Sequence, residues 1–375
     1  MSKTFRRHVL YLPGFDPIPP RRYRELYRRE GAEQARIAGY DLSLTPRRDV
    51  RFGWQAQTDG ARADIQVLVW SDLVQASMTR SIAGTYAQLV RTAWVYIASG
   101  ALWRLARLRR GPVLAALYPI IVLLAQMIVA ALAAWGAAQI GLWLAVPVFI
   151  GAMLIWRRLD HRIFAYYLMH DYAFTAEHRG AYPPELEQRL REFRVTLRDA
   201  LSDNVDEVLI VGHSSGAYLA VSLLADHLRD APPGGPALSL LTLGHVVPMA
   251  SFLPRADRLR ADLAFLGRSD RLFWLDVTAP GDACCFALCD PVAVSGAGGP
   301  DQRAPLVISA AYRQNLSPER QHAMRHRWFR RHFQYLCAFD RPENYDYFAI
   351  TAGGLTLADR YAGRDHSPGR IIGAP

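Results

Sequence analysis

The sequence predicts an α/β fold in which a mostly parallel sheet is flanked by helices and interrupted by an inserted transmembrane helical hairpin. Three observations point there. Short apolar strands alternate with amphipathic helical stretches over most of the 375 residues, and strands of that kind pair in parallel beneath helices on both faces. Residues 206–224, DEVLIVGHSSGAYLAVSLL, run a strand straight into a helix. Residues 111–156 contain no Asp, Glu, Lys or Arg, a stretch much longer than a buried core helix needs.

In chain order, residues 8–12 (HVLYL) read as a strand and lead at once into Pro13, Gly14, Phe15 and Asp16. Residues 23–38 form a charged amphipathic helix whose arginines make a solvated face. Strands are expected at 41–45, 52–58 and 64–70, the last reading DIQVLVW. From Ser81 to about Arg110 the pattern is helical, with Leu89, Val90, Trp94, Leu102 and Leu105 set among arginines.

The uncharged run that follows is long enough for two membrane crossings, at about 113–133 and at 142–156 with a few residues before it, and has a glycine-weakened turn near 135–141. Trp135 and Trp143 would mark the far interface and Trp156 the near one. Arg104, Arg107, Arg109 and Arg110 precede the hairpin, and Arg157, Arg158 and Arg162 follow it. The positive-inside rule then places both flanks and both termini in the cytoplasm, with a bacterial inner membrane as the expected location. A hairpin dipping into one leaflet, or an apolar lid, is the alternative. Strands on both sides of the hairpin must join one sheet. The expected organisation is therefore one α/β domain in two parts, 1–110 and 158–375, with 111–157 inserted between them.

Beyond the hairpin, residues 163–172 (IFAYYLMHDY) read as an aromatic connector. Pro184 opens a helix with Leu186, Leu190, Phe193, Leu197 and Leu201 on one face. Strands follow at 238–243 (LSLLTL), ended by Gly244, and at 272–278 (LFWLDVT), ended by Ala279, Pro280, Gly281 and Asp282. A further strand is expected at 305–311 and a His/Arg-rich helix at 318–339. Residues 345–351 (YDYFAIT) read as a last strand before a Gly-rich, poorly structured end.

The bulk numbers narrow the classes. A net charge of +10 and a pI near 9.6 fit a nucleic-acid binder or a membrane-surface protein. Lys3 is the only lysine, and neither aromatic-interleaved basic repeats nor zinc-finger spacing occurs, which excludes nucleic acid as the expected partner. Cys284, Cys285, Cys289 and Cys337 lack an extracellular spacing pattern and read as reduced thiols. The apolar run near the N-terminus is too short for a signal peptide, so this part is expected to start in the cytoplasm.

The chemistry centres on Gly212-His213-Ser214-Ser215-Gly216, a G-x-S-x-G pentapeptide at the strand-to-helix junction. Such a turn strains the central residue and brings strand and helix so close that small residues are needed on each side. The Ser214 oxygen is then held out at the helix N-terminus, where the Ser215 amide can bind a developing oxyanion. The inert reading is a Gly-rich turn with an idle serine. A serine nucleophile also needs a histidine base oriented by a carboxylate. Asp282, just after a strong strand, is the preferred acid, with Asp276 and Asp290 as alternatives. His332, flanked by apolar residues, is the preferred base over His322, His326 and His366. His322 and His326 have i, i+4 spacing but no third ligand, so no metal site is expected.

The strand–PGF loop, the Val-Gly-His-Ser-Ser-Gly elbow, the strand ending Thr-Leu-Gly and the Gly-Asp turn resemble the α/β-hydrolase superfamily, especially its lipase and esterase branch. That resemblance, specific at the elbow and loose at acid and base, implies acyl-ester hydrolysis through an acyl-serine without metal or organic cofactor; Ser214, Asp282 and His332 are the preferred triad. The same likeness makes the Phe15 amide, in the Gly-containing loop after the first strand, the candidate for a second oxyanion donor, against a plain turn. Membrane attachment adds membrane lipids as partners and a lipidic or amphiphilic ester as substrate. An acyltransferase using the same triad, and a non-catalytic membrane protein retaining the fold, are the competing classes.

Overall fold

The computed structural model describes residues 3–78 and 81–373. The apolar run from Val9 ends strand β1 (Phe5–Leu12), and its loop leads into helix α1 (Arg21–Ala38), which ends at Gly39 in the left-handed region, where glycine pays no Cβ penalty. β2 (Ser43–Pro46), β3 (Gly53–Thr58) and β4 (Ala61–Val67) come next, each within a few residues of its expected place. A short helix, α2 (Ser71–Ser77), precedes α3 (Ile82–Ala98) and α4 (Ala101–Leu108), so the helical pattern before the uncharged run is two helices broken at Gly100.

The uncharged run is a helical hairpin. α5 (Arg110–Ala138) and α6 (Ala145–Ile163) are joined through a 3-10 turn at Leu142–Leu144, and both reach further than the expected spans. Only 28% of the apolar window of the first span and 6% of that of the second are buried, so these are not core helices. Ile121, Leu132, Trp135 and Trp143 are each at least 60% exposed, a surface that water does not favour. Two helices are thus long and apolar enough to cross a membrane.

The expected aromatic connector is instead helical, as α7 (Ala165–Glu177), which packs back against α3 and α5. α8 (Pro184–Ser202) then delivers the chain to β5 (Glu207–His213) and α9 (Gly216–Asp230). β6 (Ala237–Leu243), α10 (Val247–Ser251), α11 (Asp257–Arg268), β7 (Phe273–Thr278), α12 (Pro291–Val294) and β8 (Leu306–Ser309) complete the alternation.

The C-terminal region departs from expectation. The helix expected over 318–339 is broken: after α13 (Tyr312–Asn315) come only α14 (Pro318–Ala323), α15 (Trp328–His332) and a 3-10 turn at Gln334–Leu336. The last strand expected at 345–351 is a helix, α16 (Tyr347–Ala352), followed by α17 (Leu357–Arg360). Asp346 decides it, accepting the Phe348 and Ala349 amides at 2.9 Å each as an N-cap. The tail is also tied down, since the Ser367 N–H donates to the Val307 carbonyl at 2.9 Å and Ile371 bridges Cys289.

The eight strands form one sheet in the order β2-β3-β4-β1-β5-β6-β7-β8. β2, β3 and β4 pair antiparallel at one edge, and every other pairing is parallel. Period-2 alternation splits β5 between two cores. Val208 and Ile210 face the core under α8, α9 and α11, while Leu209 and Val211 face the one that holds Tyr335, Phe339 and Phe348. The parallel strands thus read as continuous apolar runs because both faces are covered.

Candidate active site

The turn from β5 into α9 places Ser214 at φ +56, a left-handed conformation costly for a residue with a side chain. Its N–H donates to the Leu243 carbonyl at 2.9 Å, and its own carbonyl accepts the Ala217 N–H at 3.1 Å. The crossing is tight on both sides of it. A Cβ at Gly212 would stand 2.6 Å from the Gly216 carbonyl oxygen, and one at Gly216 would collide with the Leu12 and Pro13 carbonyls. Gly14 brings the loop after β1 equally close, since a Cβ there would lie 2.8 Å from Ser214 Cβ and 3.3 Å from its Oγ.

That approach carries Phe15 and Ser215 to one cavity with Ser214. Both residues are buried, and among the described residues neither backbone N–H donates a hydrogen bond inside the protein. Buried amides normally find a partner, so these are two open donors beside the serine.

The structure brings two of the other expected residues together. Asp282, in the turn after β7, accepts from His332 Nδ1 at 2.7 Å, and both side chains are buried. The Cys284 amide donates to the second carboxylate oxygen at 2.9 Å, and the Tyr335 hydroxyl to the first at 3.1 Å. Burial works to raise the Asp282 pKa, but His332 and these hydrogen bonds outweigh it, so the carboxyl lies below its usual range and stays charged. His213 donates from Nε2 to the His332 carbonyl at 2.9 Å; burial, aided by His332, pushes its pKa down to about 3 and keeps it neutral. With Nδ1 committed to Asp282, His332 has Nε2 left, and it lines the cavity that holds Ser214. No Ser214–His332 hydrogen bond is formed among the described residues.

The alternatives lie elsewhere. Asp276 is buried in β7, where it accepts the Thr242 hydroxyl at 2.6 Å, and Asp290 caps α12 and accepts from Gln302 at 2.8 Å. His322 and His326 are exposed, and His366 Nδ1 accepts the Val307 amide at 3.0 Å. Among the described residues, Asp282, Cys284 and His332 are the group close enough to share a metal ion. Its carboxylate and imidazole are already bonded to each other, and burial raises the Cys284 thiol well above its usual pKa, so this donor set fits a hydrogen-bonded pair better than a metal.

The cavity holds about 70 Å³. Its roof comes from the segments flanking the hairpin, through Tyr96 of α3, Pro112 of α5, and Tyr167, Leu168, Asp171 and Tyr172 of α7. Asp171 is the residue the sequence did not mark. It makes no hydrogen bond among the described residues, and burial pushes its pKa up to about 7, with nearby His332 pulling the other way. Because the folded state holds this proton longer than the unfolded chain, stability falls as pH rises from about 4 through 7. Asp171→Asn is therefore expected to melt several degrees above the parent at pH 8.5, with the gap closing at pH 5. Equal melting points at pH 8.5 would show that the Asp171 carboxylate costs nothing where it sits.

Comparison with protein-family models, with curated proteins and with solved structures finds no match to this chain.

Proposed function

We propose that the protein is a membrane-anchored serine hydrolase of the α/β-hydrolase kind that cleaves acyl esters. The observation that carries this reading is the strained Ser214, φ +56, opening on the same small cavity as a buried Asp282–His332 pair. The chain order Ser, Asp, His, each after a parallel strand, supports it.

In this mechanism His332 Nε2 takes the Ser214 hydroxyl proton as Oγ bonds to the ester carbonyl carbon. The oxyanion is held by the Phe15 and Ser215 amides, and donors of that type each contribute roughly 10²–10³-fold. As the carbon–oxygen bond to the alcohol breaks, His332 gives that alcohol its proton, leaving an acyl-serine. Water, deprotonated by the same imidazole, releases the acid. Asp282 holds the ring orientation and stabilises the imidazolium.

A fluorophosphonate should add covalently to Ser214, read as a stoichiometric mass increase. Ser214→Ala should prevent the adduct, and Ser215→Ala should leave it. An undiminished adduct on the Ser214→Ala protein sinks the assignment.

The hairpin supports a placement in which α5 and α6 cross a bilayer, with the flanking arginines and the α/β domain on the cytoplasmic side. Part of that basic flank is already engaged by the domain: Arg109 Nε donates to the Ala287 carbonyl at 2.8 Å, and Arg104 lies 4.1 Å over the Phe252 ring. Alkaline carbonate should fail to extract the protein. Ala138→Cys should react in intact cells with an impermeant thiol reagent that leaves the parent unlabelled. Silence at Ala138→Cys in a protein that still resists extraction replaces the crossing with a hairpin in one leaflet.

A further inference from the structure

A second, much larger cavity of about 1530 Å³ runs along the foot of the hairpin. It shares Tyr167, Leu168, Phe329 and Phe333 with the serine cavity, so the two adjoin at these side chains. Aromatic rings make the neck: Tyr167 and Phe164 lie 5.8 and 5.2 Å from Phe329, centroid to centroid. One side of the large groove is made by the membrane-proximal ends of α5 and α6, through Ala115, Tyr118 and Ile163. The other sides carry arginine.

The charges there are unbalanced in a particular way. Glu30 is occupied by Arg29 and the Ala338 amide, and Glu33 by Arg36 and Arg320. Asp16 accepts from Tyr23 and Ile18, and Asp160 from the Tyr166 and Tyr167 amides. Every carboxylate of the groove therefore has its partner inside the protein. Arg22, Arg162, Arg327 and Arg330 also line the groove, and among the described residues their guanidinium groups form no hydrogen bond or ion pair. They come from three separate segments, namely α1, the end of α6 and the stretch around α15.

We propose that this groove is the binding site for the head group of an anionic, phosphate-bearing acyl lipid, drawn from the bilayer along α5 and α6. The inference rests on the hydrolase reading for the fate of the lipid, though not for its binding. Guanidinium groups suit phosphate because their planar donors match its oxygens. The apolar hairpin beside them offers the acyl chains a continuous path out of the membrane. The ester then reaches Ser214 through the aromatic neck, while the inner cavity, at about 70 Å³, leaves the phosphate out in the groove. Cleavage breaks the carbon–oxygen bond between acyl group and glycerol, and one water supplies the hydroxyl of the released fatty acid and the proton of the lysolipid.

The test uses the full chain in neutral detergent, with mixed micelles of either phosphatidylglycerol or diacylglycerol at one surface fraction. Fatty-acid release from phosphatidylglycerol should exceed that from diacylglycerol by about tenfold or more. Arg22→Gln, Arg162→Gln and Arg327→Gln combined should bring the ratio near one. Arg24→Gln, Arg28→Gln and Arg191→Gln, exposed and outside the groove, should leave it unchanged. In parallel, the Ser214→Ala protein should bind a fluorescent phosphatidylglycerol, and the three groove substitutions should weaken that binding to a similar degree. Equal hydrolysis of both lipids by the parent, or a preference that survives the groove substitutions, overturns the proposal. Arginine-dependent binding without ester cleavage by the parent would keep the groove assignment and remove the hydrolase reading.

Discussion

A His332→Ala protein that folds normally is expected to lose roughly 10⁵–10⁶-fold in the turnover of a soluble ester, leaving only what the oxyanion donors and binding supply. The size follows from the geometry. Of the two imidazoles that line the cavity, His213 makes a poor base, because burial pushes its pKa down to about 3 and it donates its Nε2 proton to a carbonyl. Asp282→Asn should cost about 10⁴-fold, since an amide facing Nδ1 favours the wrong tautomer and leaves the imidazolium without its counter-charge. Its effect should be almost absent in the His332→Ala background, because the carboxylate acts only through that ring. Steady-state kinetics on the parent, the two single variants and the double variant provide the cycle. Multiplicative losses would mean that Asp282 and His332 act independently, and near-normal turnover by His332→Ala would remove it as the base.

The second large effect concerns stability. Gly216 opens α9, and by helix propensity alone Gly216→Ala would gain up to about 1 kcal/mol. The structure reverses that sign. The new methyl would meet the carbonyl oxygens of Leu12 and Pro13, which are main-chain atoms of β1 and its loop and cannot rotate away. Relief requires moving α9 off the sheet, so a loss of about 3 kcal/mol or more is expected. The shift would also carry the Phe15 amide away from Ser214. Gly151→Ala is the matched control, because a Cβ there meets nothing within 4 Å and the residue lies inside α6. Thermal melts in detergent should show Gly216→Ala well below the parent and Gly151→Ala at or above it. A Gly216→Ala melt at the parent temperature would mean that strand and helix do not cross as closely as drawn.

What was legible in the sequence shares one property: local spacing encodes it. The elbow is written in two glycines around a serine, the sheet in apolar runs, and the hairpin in a missing class of residue. Asp282 was preferred for its place just after a strand and His332 for its apolar flanks, and the structure joins their side chains by a hydrogen bond. The errors fall where tertiary contacts override local preference. Tyr345 and Tyr347 alternate about Asp346 as a strand would, yet Tyr347 and Phe348 are buried against the sheet from a capped helix, and the cap at Asp346 was the available signal. The helix expected over 318–339 breaks because Tyr335 and Phe339 must enter the core while His332 turns to Asp282. Asp171 could not be found locally, since its environment is made by residues from both sides of the hairpin. Its helix did leave a trace: Leu168 and Tyr172 in the stretch read as a connector, and Thr175 just beyond it, stand at helical spacing and line the cavity.

The sheet order bears on how the chain is made. β1 lies at the centre, hydrogen-bonded on one side to β4 and on the other to β5, where Arg7 meets Glu207 across 200 residues. On the ribosome the first four strands emerge before the hairpin, and the second edge of β1 waits exposed until the hairpin and α7 and α8 have been synthesised. Insertion of α5 and α6 into a bilayer during translation would shorten that wait in space though not in time, because it fixes both halves of the sheet at one membrane surface. The hairpin proposed as an anchor would then also serve as the tether that lets the two halves of the sheet find each other.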